Sequence, residues 1–163
     1  MVSQMNEGPD FDAMQEKRND ELYEMLEQRQ VKRLQQTLED MKEFDVAEFL
    51  TELGEEDLNK MAVVFRLLSK ECAAEVFANL EAPEQEAIIN SITDVELAGI
   101  IEEMYVDDAV DMMEELPANV VKRVMRNATP ETRNLINQYL KFPDNSAGSI
   151  MTAEFIDLKK YMN

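Results

Sequence analysis

The amino-acid sequence predicts an all-α protein, a right-handed α-solenoid-like superhelix of short helices preceded by one longer helix. Three observations support this prediction. Ala, Glu, Leu and Met are plentiful, whereas the 163 residues include only 4 glycines and 5 prolines, a composition that favours helix over sheet. Apolar residues recur at helical spacing along most of the chain. From residue 46 onward, short segments with this spacing begin at intervals of about twelve residues.

The N-terminal part contains the longer predicted helix. Residues 1–14 mix Gly, Pro, Asp and Met without a period, so we expect residues 1–19 to form a mobile N-terminus. In residues 20–44 apolar side chains return every three or four positions between charged residues and glutamines. This pattern predicts one long amphipathic helix, whose apolar positions include Leu22, Leu26, Leu34, Leu38 and Met41.

Eight shorter helices are predicted after that, and several have recognisable start signals. Thr93 followed by Glu96 fits a capping box. Pro83 and Pro130 stand where a first helical residue would be, and Thr129 is a suitable N-cap. The predicted helices are 46–53, 57–68, 72–80, 84–92, 95–104, 107–116, 119–128 and 131–140.

Helices this short are marginal in water unless each one packs its apolar side on its neighbours. Their regular repeat therefore predicts a solenoid, with an irregular helical bundle as the alternative. We assign residues 20–141 to one helical domain. Residues 142–149 are rich in turn formers and predict a linker. Residues 150–158 contain one short alternating stretch, which cannot be stable as a lone strand, so we expect the chain to be part of a longer protein.

The charge of the chain excludes several function classes. There are 35 acidic and 16 basic residues, and the net charge is −19. Residues 71–117 contain 14 acids and no Lys or Arg. Because phosphate contacts need basic side chains, we expect no nucleic acid and no anionic membrane surface as a partner. No apolar run reaches the roughly 20 residues of a membrane helix, so we expect no insertion into a membrane by this chain.

The residues needed for common catalytic and transition-metal sites are also missing. The chain has no histidine, which removes the usual general base and the commonest transition-metal ligand. A single cysteine, Cys72, excludes an intrachain disulfide and a cysteine-ligated zinc site. Phosphate-binding and nucleophile motifs are absent as well. We therefore predict that the protein is not an enzyme.

Residues 107–116, DDAVDMMEEL, form the sharpest candidate site. At helical spacing, five acids fall on one arc and the apolar residues on the other. Oxygen ligands without His or Cys suit a hard cation, Mg²⁺ or Ca²⁺, and no EF-hand loop is present. The alternative is a solvated outer face, since acids at a helix start are favoured by the helix dipole alone. The five acids are Asp107, Asp108, Asp111, Glu114 and Glu115.

Four stretches resemble a known family when they are taken together. They are KECAAEVFANL, PEQEAIINSI, VDDAVDMMEELP and DNSAGSIMTAEFIDL. The first three are similar to the cytosolic N-terminal domain of MgtE-type magnesium transporters. The last resembles the start of the first CBS domain that follows it in that family. The resemblance covers residues 45–158, and it implies that residues 142–163 are a linker and the truncated start of a CBS domain.

The family resemblance implies a function and a set of ligands. Its members are dimeric multi-pass membrane proteins, and their N domains lie on the cytoplasmic side of the cell membrane. Mg²⁺ bound between these cytosolic parts, the N domain and the CBS domains, holds the pore shut. The Glu of the AAEV motif is Glu75, and the outer acids of the DDxxD motif are Asp107 and Asp111. Ser149 follows the AG pair, where Gly is common and the backbone carbonyl is the ligand, and Asp108 is a secondary candidate.

The resemblance therefore predicts Mg²⁺ as the bound ion and the CBS domains and pore of the same full-length chain as partners. It also predicts a homodimer when the protein is full-length. A second hypothesis comes from the similar appearance of flagellar motor-switch (FliG-like) helical domains. On that hypothesis the chain is a helical-repeat scaffold for a basic or helical protein partner, without a metal role. CBS repeats and membrane spans after residue 163 would favour the transporter, and further helical repeats would favour the scaffold.

Overall fold

The computed structural model describes residues 9–143 and 146–152, which contain ten α-helices, one short 3-10 helix and no strand. The chain divides into two compact units, Met1–Lys42 and Glu43–Asn163. The all-α prediction is confirmed. The helices are α1 Pro9–Glu27, α2 Val31–Glu39, α3 Glu43–Glu56, α4 Leu58–Phe65, α5 Lys70–Ala78, α6 Ala82–Ser91, α7 Asp94–Glu103, α8 Val106–Glu115, α9 Ala118–Asn127, α10 Pro130–Tyr139 and the 3-10 helix η1 Ala147–Ser149.

The first unit corrects the prediction of one long helix over residues 20–44. The helix is interrupted after α1, where Arg29 adopts a left-handed backbone with φ 54°. The amide of Gln30 donates to the carbonyl of Met25 at 2.9 Å, a six-to-one bond of the kind that ends helices in a Schellman motif. Glycine usually occupies the left-handed position of that motif. Because residues 28–30 are Gln-Arg-Gln, the sequence does not predict the turn.

The helical spacing of apolar residues extends across the break between α1 and α2, because each of these helices buries one apolar face. Leu22 and Met25 of α1 and Leu34 and Leu38 of α2 are all buried, and α1 packs against α2. The first unit is thus a helical hairpin. Residues 9–19, which we expected in a mobile terminus, belong to α1, and residues 1–8 lie outside the described residues.

In the second unit all eight predicted short helices are present, with ends displaced by a few residues. The predicted period is confirmed, because from α4 to α10 each helix begins twelve residues after the one before. The helix starts are Leu58, Lys70, Ala82, Asp94, Val106, Ala118 and Pro130.

These helices stack in the manner of a solenoid, so that prediction is confirmed. Helices α3, α5, α7 and α9 are successive neighbours in one row, while α4 packs on α6 and α8 packs on α10. Contacts between helices two apart in the sequence distinguish this arrangement from an irregular bundle. The right-handed sense stays a prediction. Fully buried side chains hold the rows together, including Phe49, Phe65, Phe77, Ile88, Ile89 and Leu97.

The predicted helix starts are formed by the expected residues. Thr93 and Glu96 form both bonds of a capping box, with Thr93 N donating to Glu96 Oε2 at 2.7 Å. Thr129 caps α10, and Pro130 is its first residue. Pro83 stands one position later than predicted, as the second residue of α6. Caps of this kind satisfy backbone donors that a short helix would otherwise leave unpaired.

Two arginines of α9 connect repeats that are distant in sequence. Arg123 and Arg126 contact the carboxylate of Asp94 at 2.9 and 3.3 Å. Arg123 also donates to the carbonyls of Ile89 and Ile92 at the end of α6. The hydrogen bond from Arg123, with the positive charges of both arginines, holds the pKa of Asp94 below its usual range. Both arginines are therefore paired in the folded chain.

The segment after α10 folds back on the helices. A Cβ built on Gly148 of η1 would lie 2.6 Å from the ring of Phe142, so the backbone of η1 rests directly on that ring. The alternating stretch predicted at residues 150–158 lies mostly outside the described residues, so the CBS start stays a prediction. No helix in the described part of the chain has the length and apolar character to cross a membrane.

Candidate metal site

Helix α8 places acids and apolar residues on opposite sides, as its sequence predicted. Val106, Ala109, Val110, Met112 and Met113 are buried. The acids lie outward: Asp107 and Asp108 are half-buried, and Asp111, Glu114 and Glu115 are exposed.

One group of predicted ligands meets between α8 and the segment that follows α10. Asp107, Asp111 and Ser149 line a single cavity of about 220 Å³, which we name the α8–α10 cavity. Thr152 donates to Asp107 Oδ1 at 3.5 Å from the same segment. The structure therefore brings three of the five predicted ligands together. The remaining lining residues are Val110, Glu114, Tyr139, Phe142, Ile150 and Met151.

The position of Ser149 depends on a short chain of local contacts. The Ser146 hydroxyl accepts from the Ser149 amide at 3.3 Å, and the Ser149 hydroxyl donates to the Ser146 carbonyl at 2.9 Å. Gly148 lies on the Phe142 ring. That ring meets Tyr139 edge-on with centroids 5.6 Å apart, a favourable aromatic geometry. These contacts attach η1 to the end of α10, which in turn packs on α8.

The other two predicted ligands lie elsewhere. Glu75 and Asp108 line a second cavity of about 400 Å³, the α5–α8 cavity. Asp107 and Asp108 are adjacent in sequence but contribute to different cavities, because consecutive helical residues point about 100° apart. The structure therefore divides the predicted ligands into two groups. The other residues lining this cavity are Glu43, Glu71, Ala74, Ala78, Asn79, Glu103, Met104 and Tyr105.

Neither cavity has a basic lining residue. The α8–α10 cavity has three carboxylates and the α5–α8 cavity has five. Like charges at this density repel one another unless a cation offsets them. Within the part of the chain that the structure describes, however, no three Asp, Glu or Cys side chains approach closely enough to hold a metal ion. Each cavity thus offers part of a ligand set for a hard cation.

Sequence reasoning missed several residues of these cavities. Glu114 was placed on the acidic arc but not among the ligands. Tyr139 and Phe142 carried no signal, because their approach to α8 results from helix packing. Glu71 and Glu103 lie on different helices and had no motif to connect them.

Residues 41–145 match the family model described as the MgtE intracellular N domain, and this match spans more than half of the chain. The chain belongs to the MgtE family. The matched residues include α3 to α10, and so they contain four of the five predicted ligands. Ser149 and its turn follow the matched region.

Two solved structures share the fold of this MgtE-family chain. One is described as the soluble part of a magnesium transporter, with 23% identity, a TM-score of 0.76, and coverage of 87% of this chain and 55% of the other. The second is the cytosolic domain of the Mg²⁺ channel MgtE in complex with ATP, with 28% identity, a TM-score of 0.70, and coverage of 82% and 54%. The chain thus spans about half the length of either structure. Among curated protein sequences no match was found.

Proposed function

We propose that this chain is the cytosolic regulatory domain of a magnesium transporter or channel. In this proposal it binds Mg²⁺ at acidic surfaces shared with CBS domains and closes the pore when Mg²⁺ is high. The family match and the two similar structures support the general role. The chain acts on the cytoplasmic side of the cell membrane, within a homodimeric full-length protein, and it does not act as an enzyme.

The observation that carries the proposal is the α8–α10 cavity. Two carboxylates, those of Asp107 and Asp111, line this cavity together with Ser149. This donor set consists only of oxygen and fits Mg²⁺, which keeps several waters and is bound through one or two carboxylates. Asp107, Asp111 and the Ser149 carbonyl would hold the ion on this side.

In a metal site shared between two surfaces, each surface supplies only part of the ligand set. Because no three acids in the described residues converge on one point, an ion held here by two carboxylates keeps coordination positions that another surface can fill. In the proposal the CBS domains of the full-length chain supply them. The same reasoning applies to Glu75 and Asp108 in the α5–α8 cavity, which would form a second shared site.

An Mg²⁺ ion that bridges two domains shifts the populations of the open and closed arrangements only if it binds one of them more tightly than the other. Without Mg²⁺, two acidic surfaces repel each other and the open arrangement is favoured. Bound ions neutralise the carboxylates and stabilise the closed one. Moving a population from 1:99 to 99:1 needs a preference of about 10⁴-fold. Several weak sites together can supply this preference, so no single tight site is needed.

Binding of Mg²⁺ can be tested in this chain and in the same protein extended through its CBS domains. We expect hydrogen exchange and scattering to show compaction near millimolar Mg²⁺ in the extended form, with little change in the shorter chain. Asp107→Asn with Asp111→Asn should raise the Mg²⁺ midpoint. A control with Glu55→Gln and Glu131→Gln removes two exposed acids outside both cavities and should leave the midpoint unchanged.

Two outcomes would contradict the proposal. One is a response that an equal ionic strength of NaCl reproduces, which would leave a solvated acidic face and favour the helical-repeat scaffold. The other is an equal effect of the two double variants, which would assign the response to total charge and not to the α8–α10 cavity.

A further inference from the structure

We propose that a separate groove, formed by α4, α5 and α7, binds a small apolar carboxylate, such as an aryl or short alkyl carboxylic acid. The groove has a volume of about 190 Å³. It lies away from both acidic cavities and shares no lining residue with them. Residues that define the site are the apolar Phe65, Leu68, Ile92 and Ile100, with Lys70 and Gly99.

The apolar lining and the volume indicate what kind of molecule fits. Three of the lining side chains also belong to the buried core, namely Phe65, Ile92 and Ile100. The apolar wall of the groove is therefore continuous with the core. An apolar cavity of about 150 Å³ accepts benzene. A groove slightly larger than that has room for one phenyl ring or a short alkyl chain, but not for a drug-sized ligand.

The charged residues beside the groove favour a ligand with an anionic group. Arg66 is already paired with Glu96 at 3.3 Å, and the Glu96 carboxylate also accepts from Thr93. Lys70, in contrast, has no ion pair or side-chain hydrogen bond with any residue in the described ranges. It is exposed, and the next Lys or Arg in the sequence is Lys122. Its ammonium group is therefore the available charge beside the groove, because the other charged lining residues, Arg66 and Glu96, are paired with each other.

Gly99 supplies an independent argument. A Cβ on Gly54 would lie 2.8 Å from Met61 Sδ, and one on Gly148 would lie 2.6 Å from Phe142, so packing accounts for these two glycines. The atoms nearest to a Cβ on Gly99 would be those of the Lys70 side chain, at 3.6 Å or more, which is ordinary contact. Gly99 is inside α7, without a positive φ, where glycine lowers helix stability. Neither backbone nor packing requires glycine there, and Gly99, a lining residue without a side chain, leaves this part of the groove open.

The site can be tested on the 163-residue chain without divalent cations, which separates it from the Mg²⁺ proposal. Amide chemical shifts are followed during titration with 3-phenylpropionate and with the uncharged 3-phenylpropionamide. We expect shifts centred on Lys70, Ala73, Gly99 and Ile100, with a dissociation constant in the millimolar range for a ligand of this size. The carboxylate should bind about threefold more tightly than the amide, as expected for one exposed ion pair.

Variants test each part of the site. Lys70→Gln should remove the preference for the carboxylate, whereas Lys60→Gln, the same change on the exposed side of α4, should keep it. Gly99→Leu should abolish binding by filling the groove. Gly99→Ala should weaken binding while raising Tm by roughly 2 °C, so that lost binding cannot be ascribed to unfolding.

Three results would overturn the proposal. One is an absence of chemical-shift changes in the groove at about 20 mM ligand, a concentration well above the expected dissociation constant. The others are equal affinities for the carboxylate and the amide, and unchanged binding of the carboxylate by Gly99→Leu.

Discussion

Gly148 lies so close to Phe142 that a Cβ on the glycine would come within 2.6 Å of the aromatic ring. This approach holds η1 on the end of α10 and brings Ser149 to the cavity that contains Asp107 and Asp111. The geometry of the candidate metal site thus depends on a contact between two residues that carry no ligand atoms.

Gly148→Ala should separate η1 from Phe142, because an aromatic ring wedged against α10 cannot move away freely. We expect hydrogen exchange at the Ser149 amide to become several-fold faster, since its bonds to Ser146 depend on this turn. The Tm should change by about 1 °C or less, because the turn lies outside the core. Ala147→Ser, an exposed position in the same turn, is the control. Unchanged exchange at Ser149 in Gly148→Ala would show that the contact does not hold the turn.

The Asp94–Arg123 pair predicts a pH dependence of stability. The pKa of Asp94 is lowered in the folded chain, below the value of about 3.9 of an unfolded Asp. A lowered pKa means that the carboxylate stabilises the fold above pH 4, and that this contribution is lost as the pH falls through the folded value. We expect Asp94→Asn to destabilise the protein at pH 7 and to have a smaller effect near pH 2.5.

Urea denaturation of both proteins at these two pH values measures the difference. Asp20→Asn, an exposed position on α1 outside this ion pair, serves as the matched control and should show no such pH dependence. A loss of stability in Asp94→Asn that is equal at both pH values would mean that the charge of Asp94 does not matter.

Arg123 should matter more than its exposed neighbour Lys122. Its guanidinium joins α9 to the end of α6 and to Asp94 through several hydrogen bonds. Arg123→Met retains the apolar stem but leaves the Ile89 and Ile92 carbonyls without this donor. At roughly 0.5–1.5 kcal/mol for each hydrogen bond, we expect a loss of about 2 kcal/mol in the free energy of unfolding. Lys122→Met should change it by less than about 0.5 kcal/mol, and equal effects would contradict the assignment.

Arg29 offers a stabilising substitution. Its left-handed backbone costs a non-glycine residue about 1 kcal/mol, so Arg29→Gly should stabilise the chain by roughly that amount. Lys32→Gly, three residues later inside α2, should destabilise it by about 1 kcal/mol, because glycine is unfavourable in a helix. Thermal unfolding distinguishes the two. The same sign for both variants would show that the turn at Arg29 is not left-handed.

In the proposed longer protein with CBS domains, the two cavities predict independent effects on Mg²⁺ binding. Asp111 and Glu75 line different cavities, and these two cavities have no lining residue in common. If each cavity contributes one ion, Asp111→Asn and Glu75→Gln should each raise the Mg²⁺ midpoint. Combined, their effects on binding free energy should add within about 0.5 kcal/mol. A combined effect no larger than one single effect would place both residues at one site.

Much of the fold follows from local sequence. Eight short helices, their twelve-residue repeat and the capping box at Thr93 were all predictable, because helix periodicity and N-caps depend on residues within one or two turns. The acidic arc of α8 follows from the same spacing. The break at Arg29 could not be predicted, since a left-handed arginine is stabilised by the packing of α1 on α2 and has no sequence signal.

The sequence by itself determined which residues are acidic, which helices form and which face of each one is apolar. Only the tertiary structure decided that Asp107 and Asp111 share a cavity with Ser149 while Glu75 and Asp108 share another. It also decided that Arg123 pairs with Asp94, 29 residues away. The physical reason is range: helix formation depends on neighbours in the chain, whereas a site between helices depends on how their buried faces fit together.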